Sequence, residues 1–556
     1  MDAKRIPIGI SDFRKLTEED YYYVDKSMFI KDVIHSSSEV LLLPRPRRFG
    51  KTLNLSMLRY FFEKGSENFS GLFKGLAIEK DEIFQVFQGK YPVICMTFKD
   101  VKHSKWEGCF TGIKAVIRKE FSRHRYLLES NALYPDEKKY IQKILSSELG
   151  DYEYEQSLSR LSEYLHRVWQ EKTLILIDEY DTPVHAAYTK GYYERLMEFI
   201  RNFLSGGLKD NPHMFRSVIT GILRVAKESV FSGLNNPGVY TLLNREFSTF
   251  FGFTEEEVAQ LLNNYSMSDR YKDVREWYNG YLFGGEVIYN PWSIVQFIRR
   301  KPEFPAPYWV NTADTGMIDR LATRGGRELR EEIGLLLEGK SITKPVYDSI
   351  VMRDLEKQDD LLWSFLVFSG YLKPAGQIDF QMMELKIPNK EVQVIYRNLV
   401  RTWFGEKIES SRLAAVLHAL EKGNIEDFEY LLSDIVEKVL SFHDTGGTEP
   451  EQFYHAFVLG LLVWLEDKYD IKSNRESGLG RYDAALIPKD RAKNGIILEF
   501  KKVNERKKES PEQTLERAMK QIESRKYAGE LEAAGVKNIM KIAIAFQGKK
   551  LWMMHR

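Results

Sequence analysis

Leu41-Leu42-Leu43-Pro44-Arg45-Pro46-Arg47-Arg48-Phe49-Gly50-Lys51-Thr52 runs an apolar strand into a Gly-Lys-Thr at the head of a helical pattern, Leu53 to Phe62. In a phosphate-binding loop the strand ends and backbone N–H groups turn inward round the β-phosphate. A Lys then reaches the β/γ-oxygens, and the next hydroxyl holds Mg²⁺. Gly50, Lys51 and Thr52 supply those parts. The stretch departs from G-x-x-x-x-G-K-[ST] at its first position, where Arg45 stands for Gly, and Pro46 removes one backbone donor. Side-chain charge from Arg45, Arg47 and Arg48 is expected to replace the lost amide, so these arginines join the expected nucleotide contacts.

A second apolar run, Thr173-Leu174-Ile175-Leu176-Ile177-Asp178-Glu179, ends in two carboxylates. It reads as a buried parallel strand with acids at its C-terminal edge. Asp178 is expected to hold Mg²⁺ and Glu179 to orient the attacking water. Loop and strand together point to binding and hydrolysis of a nucleoside triphosphate.

At 556 residues the chain is long enough for about three or four domains. Lys+Arg of 81 against Asp+Glu of 80 leaves a net charge of +1, so no whole-chain basic field advertises nucleic acid and any such contact must be local. Cys95 and Cys109 are the only cysteines, too few for a disulfide framework and wrongly spaced for a zinc site. Met1 to Asp12 has no apolar leader pattern, and no stretch approaches the roughly eighteen apolar residues of a membrane span. The expectation is a cytosolic protein that meets no membrane.

From Ile8 to about Gly252 short apolar strands (Val40 to Leu43, Pro92 to Phe98, Leu174 to Asp178, Phe215 to Thr220) alternate with amphipathic segments such as Lys105 to Arg123 and Glu155 to Gln170. That alternation predicts a parallel sheet covered by helices. Between Phe253 and Phe404 helical patterns dominate, including Thr254 to Tyr265, Pro291 to Arg300 and Leu361 to Phe368, which reads as a helical or winged-helix-like middle region. The last block, from about residue 405, has helices, then strands at Asp470 to Asn474, Tyr482 to Pro488 and Gly495 to Phe500, then a helix over Ser510 to Tyr527 and a strand over Lys541 to Phe546.

That block carries a second chemical centre. Arg481-Tyr482-Asp483-Ala484-Ala485-Leu486-Ile487 and Gly495-Ile496-Ile497-Leu498-Glu499-Phe500-Lys501 read as two strands of a hairpin. Glu499 and Lys501 share one face of their strand while Phe500 points into apolar packing, and Asp483 can share the same face from across the hairpin. Two carboxylates and a Lys there equip a Mg²⁺ site for activating water against a phosphodiester, with Mn²⁺ as an alternative occupant. Asp483 and Glu499 are the expected ligands, Glu451 a further ligand or supporting acid, and Lys501 the group that positions water or stabilises developing charge. Helical period can turn Gln521 toward the site. His443 and His455, without a third ligand at metal spacing, read as structural.

Taken together, these residues resemble a large bacterial and archaeal family of AAA-ATPase-like proteins with a C-terminal PD-(D/E)xK nuclease-superfamily domain. The resemblance also covers Pro7-Ile8-Gly9-Ile10-Ser11-Asp12-Phe13, Tyr22-Tyr23-Val24-Asp25-Lys26, Asp178-Glu179-Tyr180-Asp181, Trp277-Tyr278-Asn279-Gly280-Tyr281 and Tyr289-Asn290-Pro291-Trp292-Ser293. It implies a P-loop ATPase core over residues 1–252, a helical or winged-helix-like region over 253–404 and a restriction-endonuclease-like α/β domain over 405–556. It implies further that Thr220 is a polar sensor at a strand tip, that Arg224 contacts the γ-phosphate, and that Tyr482 stands where the superfamily name has P. The expected function is a nucleotide-controlled, metal-dependent nuclease acting on nucleic acid, read as DNA, with a second copy of the chain as a further expected partner. The alternative is an ATP-gated scaffold whose nuclease fold binds without cleaving.

Overall fold

A computed structural model describes residues 4–224, 237–309, 327–337, 339–348, 350, 359–379, 381–405, 410–442, 458, 461–462, 465, 468–473, 476–477, 480–481, 483–504, 508–525, 527–548 and 550–556. Contacts group the chain into two compact units, Met1–Ala313 with Thr343–Glu391, and Asp314–Ile342 with Val392–Arg556. Residues 253–313, expected to open a separate middle region, belong to the first unit with the parallel sheet. No helix among the described residues is long and apolar enough to cross a membrane.

The first unit is built on β1 (Val40–Pro44), α1 (Lys51–Phe62), β2 (Val93–Thr97), α2 (Trp106–Arg123), α3 (Ser157–Trp169), β3 (Thr173–Asp178), α4 (Tyr193–Leu208), β4 (Met214–Gly221) and β5 (Gly238–Val239). The strands run in the order β2-β3-β4-β1-β5, all parallel. Every residue of β1 and β3 is buried, as their unbroken apolar runs require of strands covered on both faces. Because β4 lies between β1 and β3, its tip at Thr220 stands between the loop that follows β1 and the acids that end β3.

The same unit continues through β6 (Phe253–Thr254), α5 (Glu255–Asn264), α6 (Tyr271–Tyr278), β7 (Tyr281–Phe283), β8 (Glu286–Tyr289) and α7 (Pro291–Arg300). The strand order β6-β8-β7 is antiparallel, so a short strand, two helices and a hairpin that returns to the first strand make a winged-helix-like module. A capping box, Thr254 with Glu257, starts α5. Val258, Leu261, Leu262, Val274, Tyr278, Ile294 and Phe297 form the module's core. α8 (Lys390–Gly405) starts in this unit and runs on past its boundary at Glu391.

In the second unit β9 (Tyr469–Ser473), β10 (Ala484–Pro488), β11 (Gly495–Lys502), β12 (Ile539–Gln547) and β13 (Lys550–His555) form one sheet in chain order, and α9 (Pro511–Ser524) packs on it. β11 and β12 are parallel and the other neighbours antiparallel. Ala485, Ile487, Ile497, Ala543 and Ala545 meet Leu515, Ala518, Met519 and Ile522 of α9. With a side-chain period of two, Ile497, Glu499 and Lys501 therefore share the face that α9 covers.

Candidate functional site

The loop after β1 is shaped by two left-handed residues, Arg48 at φ 69° and Gly50 at φ 88°, and Gly50 caps α1. Only Gly adopts such a φ freely, so its place directly before Lys51 lets the chain turn into the helix with the first N–H groups open to an anion. Lys51 is 3% exposed, and its ammonium donates to the carbonyls of Arg45 at 3.0 Å and Pro46 at 3.1 Å. Glu179 lies 3.5 Å from the same ammonium. Glu179 is itself left-handed, at φ 54°, a conformation that costs a non-Gly residue roughly 1–2 kcal/mol and here turns its carboxylate off the end of β3 toward Lys51.

Asp178 is gripped by two hydroxyls, Thr52 Oγ1 donating to Oδ2 at 2.7 Å and Thr220 Oγ1 to Oδ1 at 2.6 Å. Burial raises its pKa, helped by the neighbouring Glu179 charge, while the two hydroxyls oppose the shift. A Thr hydroxyl and an Asp carboxylate adjacent at the head of α1 form a hard-oxygen set that fits Mg²⁺. A cavity of about 570 Å³ opens over Gly50, Lys51, Thr52 and Glu179, and Arg47 and Arg48 line it too. It continues onto Ile6, Pro7, Gly9, Ile10, Tyr22 and Val24 from the N-terminal segment and Phe253, Leu261 and Trp292 from the winged-helix-like module.

Two expected nucleotide contacts are corrected. Arg45 is fully buried, its guanidinium donating to the carbonyls of Pro44, Tyr240 and Phe247 and lying 5.0 Å and 5.6 Å over the rings of Phe251 and Phe283. Burial pushes its pKa down to about 9, and the guanidinium, spent on three carbonyls, does not line the cavity. Arg45 therefore anchors the loop instead of replacing its missing amide. Arg224 pairs with Asp348 at 3.1 Å and does not line the cavity. Arg48 reaches the cavity but rests its guanidinium 4.3 Å over the Trp292 ring.

Asp181 was passed over as a site residue. It is fully buried, and its Oδ2 accepts from Ile222 N at 2.8 Å and Leu223 N at 3.0 Å, fixing the chain just beyond Thr220. Gly221 makes the approach work, since a Cβ there would stand 2.6 Å from Asp181 Oδ1. A third carboxylate in the Asp178-Glu179-Tyr180-Asp181 run was the signal available.

In the second unit the hairpin is present, with Ala484 opposite Leu498 and Leu486 opposite Ile496. Asp483 Oδ2 accepts the Phe500 N–H at 2.8 Å, which holds it beside Glu499. Glu499 is wholly buried; its Oε1 accepts from Lys501 Nζ at 2.9 Å and from Gln521 Nε2, and Gln521 also donates to Tyr527 Oη at 3.1 Å. Its Oε2 is buried without a hydrogen-bond partner. Burial raises the Glu499 pKa, the Asp483 charge adds to the rise, and Lys501 opposes it. An orphaned buried carboxylate oxygen beside a second carboxylate fits a hard divalent cation. Among the described residues no group of three His, Cys, Asp or Glu side chains is assembled around a cation position. Glu451, His443, His455 and Tyr482 lie outside the described residues.

Residues 7–231 match the family model described as predicted AAA-ATPase, and residues 449–556 match that of the PD-(D/E)XK nuclease superfamily. A protein of the vnfD 5′ region of Azotobacter chroococcum mcd 1 is 28% identical over 486 residues, covering 84% of this chain and 85% of its own. Among solved structures, a Walker-type ATPase of Pyrococcus abyssi aligns at 12% identity with a TM-score of 0.36, over 67% of this chain and 94% of its own. Those two matches, in that order, give the chain an AAA-ATPase-like domain followed by a PD-(D/E)XK nuclease-superfamily domain.

Proposed function

We propose that the protein is a nucleotide-controlled, metal-dependent nuclease that binds and hydrolyses ATP in its first unit and cleaves nucleic acid, DNA first among the substrates, in its second. The observation that carries the cleavage reading is buried Glu499, one oxygen held by Lys501 and Gln521 and the other unpartnered beside Asp483. At the first centre the Gly50–Thr52 N–H groups give the phosphates the positive end of α1. Lys51 leaves the Arg45 and Pro46 carbonyls to meet the β/γ-oxygens, and Thr52 with Asp178 would hold Mg²⁺. Glu179 then accepts a hydrogen bond from the attacking water. The apolar continuation of the cavity over Ile6, Ile10, Tyr22 and Phe253 receives the base.

At the second centre Asp483 and Glu499 would hold Mg²⁺ or Mn²⁺, which when bound supplies Lewis acidity and a water of lowered pKa. Lys501 sets its ammonium against the charge that develops on the phosphate, and Gln521 fixes the loaded oxygen of Glu499. The test is cleavage of plasmid, linear duplex, single-stranded DNA and RNA by the full chain with Mg²⁺ or Mn²⁺, with and without ATP. Asp483→Ala is expected to abolish cleavage and leave ATP hydrolysis intact. No cleavage by the wild type under any of these conditions, or equal cleavage by Asp483→Ala, favours the scaffold reading instead.

A further inference from the structure

The phosphate loop must turn its N–H groups inward, which leaves carbonyls facing out, and an outward carbonyl in a buried setting needs a donor behind it. The Arg47 carbonyl has one. The indole N–H of Trp309 donates to it at 3.1 Å, and Trp309 is 1% exposed, with the rings of Tyr281 and Tyr371 at 6.3 Å and 5.3 Å. Trp309 is in turn held by Glu391, whose Oε1 accepts its backbone N–H at 2.7 Å while Oε2 accepts Ser293 Oγ at 2.8 Å. Glu391 has no exposed surface and sits in the first turn of α8, whose residues from Val392 onward belong to the second unit.

The loop is also touched from behind at Pro46. Gly370, at φ 86°, passes so close that a Cβ on it would stand 3.1 Å from Pro46 Cβ. On its inner side the same loop is closed by Lys51, which bridges the Arg45 and Pro46 carbonyls. A phosphate that takes the ammonium releases both carbonyls, and the next carbonyl along is the one Trp309 holds. Burying a carboxylate to fix one tryptophan is costly, and core packing alone gives no reason for it.

We propose that Trp309 and Glu391 are positioning residues for the nucleotide reaction: through the Arg47 carbonyl they set the shape of the phosphate loop and register its occupancy at the start of α8. This rests on the phosphate-loop reading above and adds to it a route by which nucleotide state reaches the helix that leads out of the first unit. Trp309 touches no reacting atom. Its effect runs through a single N–H.

The experiment labels the full chain with 5-fluorotryptophan and follows the fluorine spectrum on adding Mg-ATP, with the Trp309 signal identified by its loss in Trp309→Phe. The Trp309 signal is expected to shift with nucleotide and to stay fixed in Lys51→Ala. Trp309→Phe, which keeps a ring and loses the N–H, is expected to raise the ATP Kd roughly tenfold, the worth of one net hydrogen bond at about 1.4 kcal/mol. Should that variant fail to fold, Ser293→Ala removes only a hydroxyl from Glu391, and it is expected to displace the Trp309 signal and weaken ATP. A Trp309 signal that ignores saturating ATP while other tryptophan signals move overturns the proposal and leaves the phosphate loop standing. An absence of ATP binding to the wild type by calorimetry overturns both.

Discussion

The two centres use the same ingredients, a lysine and carboxylates at the ends of strands, and hold them in opposite ways. In the first unit each group already has a protein partner, Lys51 on two carbonyls and Asp178 on two hydroxyls. In the second, Glu499 Oε2 is buried with none. A ligand at the first centre would have to take over internal bonds, freeing the loop carbonyls that Lys51 holds. The second is short of a positive charge, and a ligand that supplies one completes it without displacing anything. A saturated site is suited to switching and a deficient one to holding a cation.

Lys51→Ala should break the first half of that comparison with the largest effect. On the proposed reading the ammonium would supply two charge-assisted bonds to phosphate, so ATP affinity by calorimetry is expected to fall at least roughly a hundredfold. Near wild-type affinity in this variant removes the loop from the phosphate-binding role. Arg45→Ala should separate anchoring from ligand contact, because the lost guanidinium strands the carbonyls of Tyr240 and Phe247 and leaves a cavity between Phe251 and Phe283. Denaturant unfolding of the first unit is expected to show a loss of roughly 3–5 kcal/mol. A variant of unchanged stability that binds ATP weakly would return Arg45 to the phosphate.

Glu391 is the first unit's counterpart of Glu499, a wholly buried carboxylate, but its two oxygens are both donated to by neutral groups, Ser293 and the Trp309 N–H. Burial lifts its pKa from 4.5 to about 7. A carboxyl whose folded pKa is raised adds stability that is full below pH 4.5 and is lost as pH rises through 7. The gap amounts to at most roughly 3.5 kcal/mol at 1.36 kcal/mol per pKa unit. Wild-type stability relative to Glu391→Gln should therefore decline across that window and level off above it, and a difference independent of pH would show that Glu391 is not a strained buried acid.

What the sequence disclosed follows from how local each interaction is. Buried strands announce themselves as apolar runs, and Gly50-Lys51-Thr52 and Glu499-x-Lys501 are short motifs whose geometry follows from one turn or one strand period. Arg45 was misread because its ring and carbonyl partners come from Tyr240 to Phe251 and Phe283, some 195 residues and more away along the chain. Arg224 with Asp348, 124 residues apart, and Trp309 with Glu391, 82 apart, were hidden for the same reason. The winged-helix-like reading named no hairpin, although Gly284 and Gly285, at φ 58° and 90°, are the two-residue turn that Phe283-Gly-Gly-Glu286 signals between β7 and β8. β13 carries Lys550-Leu-Trp-Met-Met-His555 with no clear alternation, and its contacts reach beyond its one strand neighbour: Trp552 and Met554 pack against the core under α9, and the Met553 N–H donates to Glu429 Oε1 at 3.0 Å.

The smallest effect tests the deficiency of the second centre directly. A cation that binds the folded second unit alone stabilises it by RT ln(1 + [L]/Kd), about 1.4 kcal/mol at ten times Kd, which scanning calorimetry reads as a rise of a few degrees in that unit's transition. The first unit's transition is recognised separately as the one that ATP moves. In Glu499→Gln the amide keeps the shape and its contact with Lys501 but carries no charge for a cation to neutralise. The variant's metal-free transition should therefore lie above the wild type's, because the repulsion between Glu499 and Asp483 beside a single ammonium has been removed, and Mg²⁺ or Mn²⁺ should no longer raise it. Both halves are needed, since a higher metal-free midpoint alone would follow from any buried carboxylate. If the cations raise the two proteins equally, the unpartnered oxygen is not where they bind, and the contrast between a saturated and a deficient centre fails at its second term.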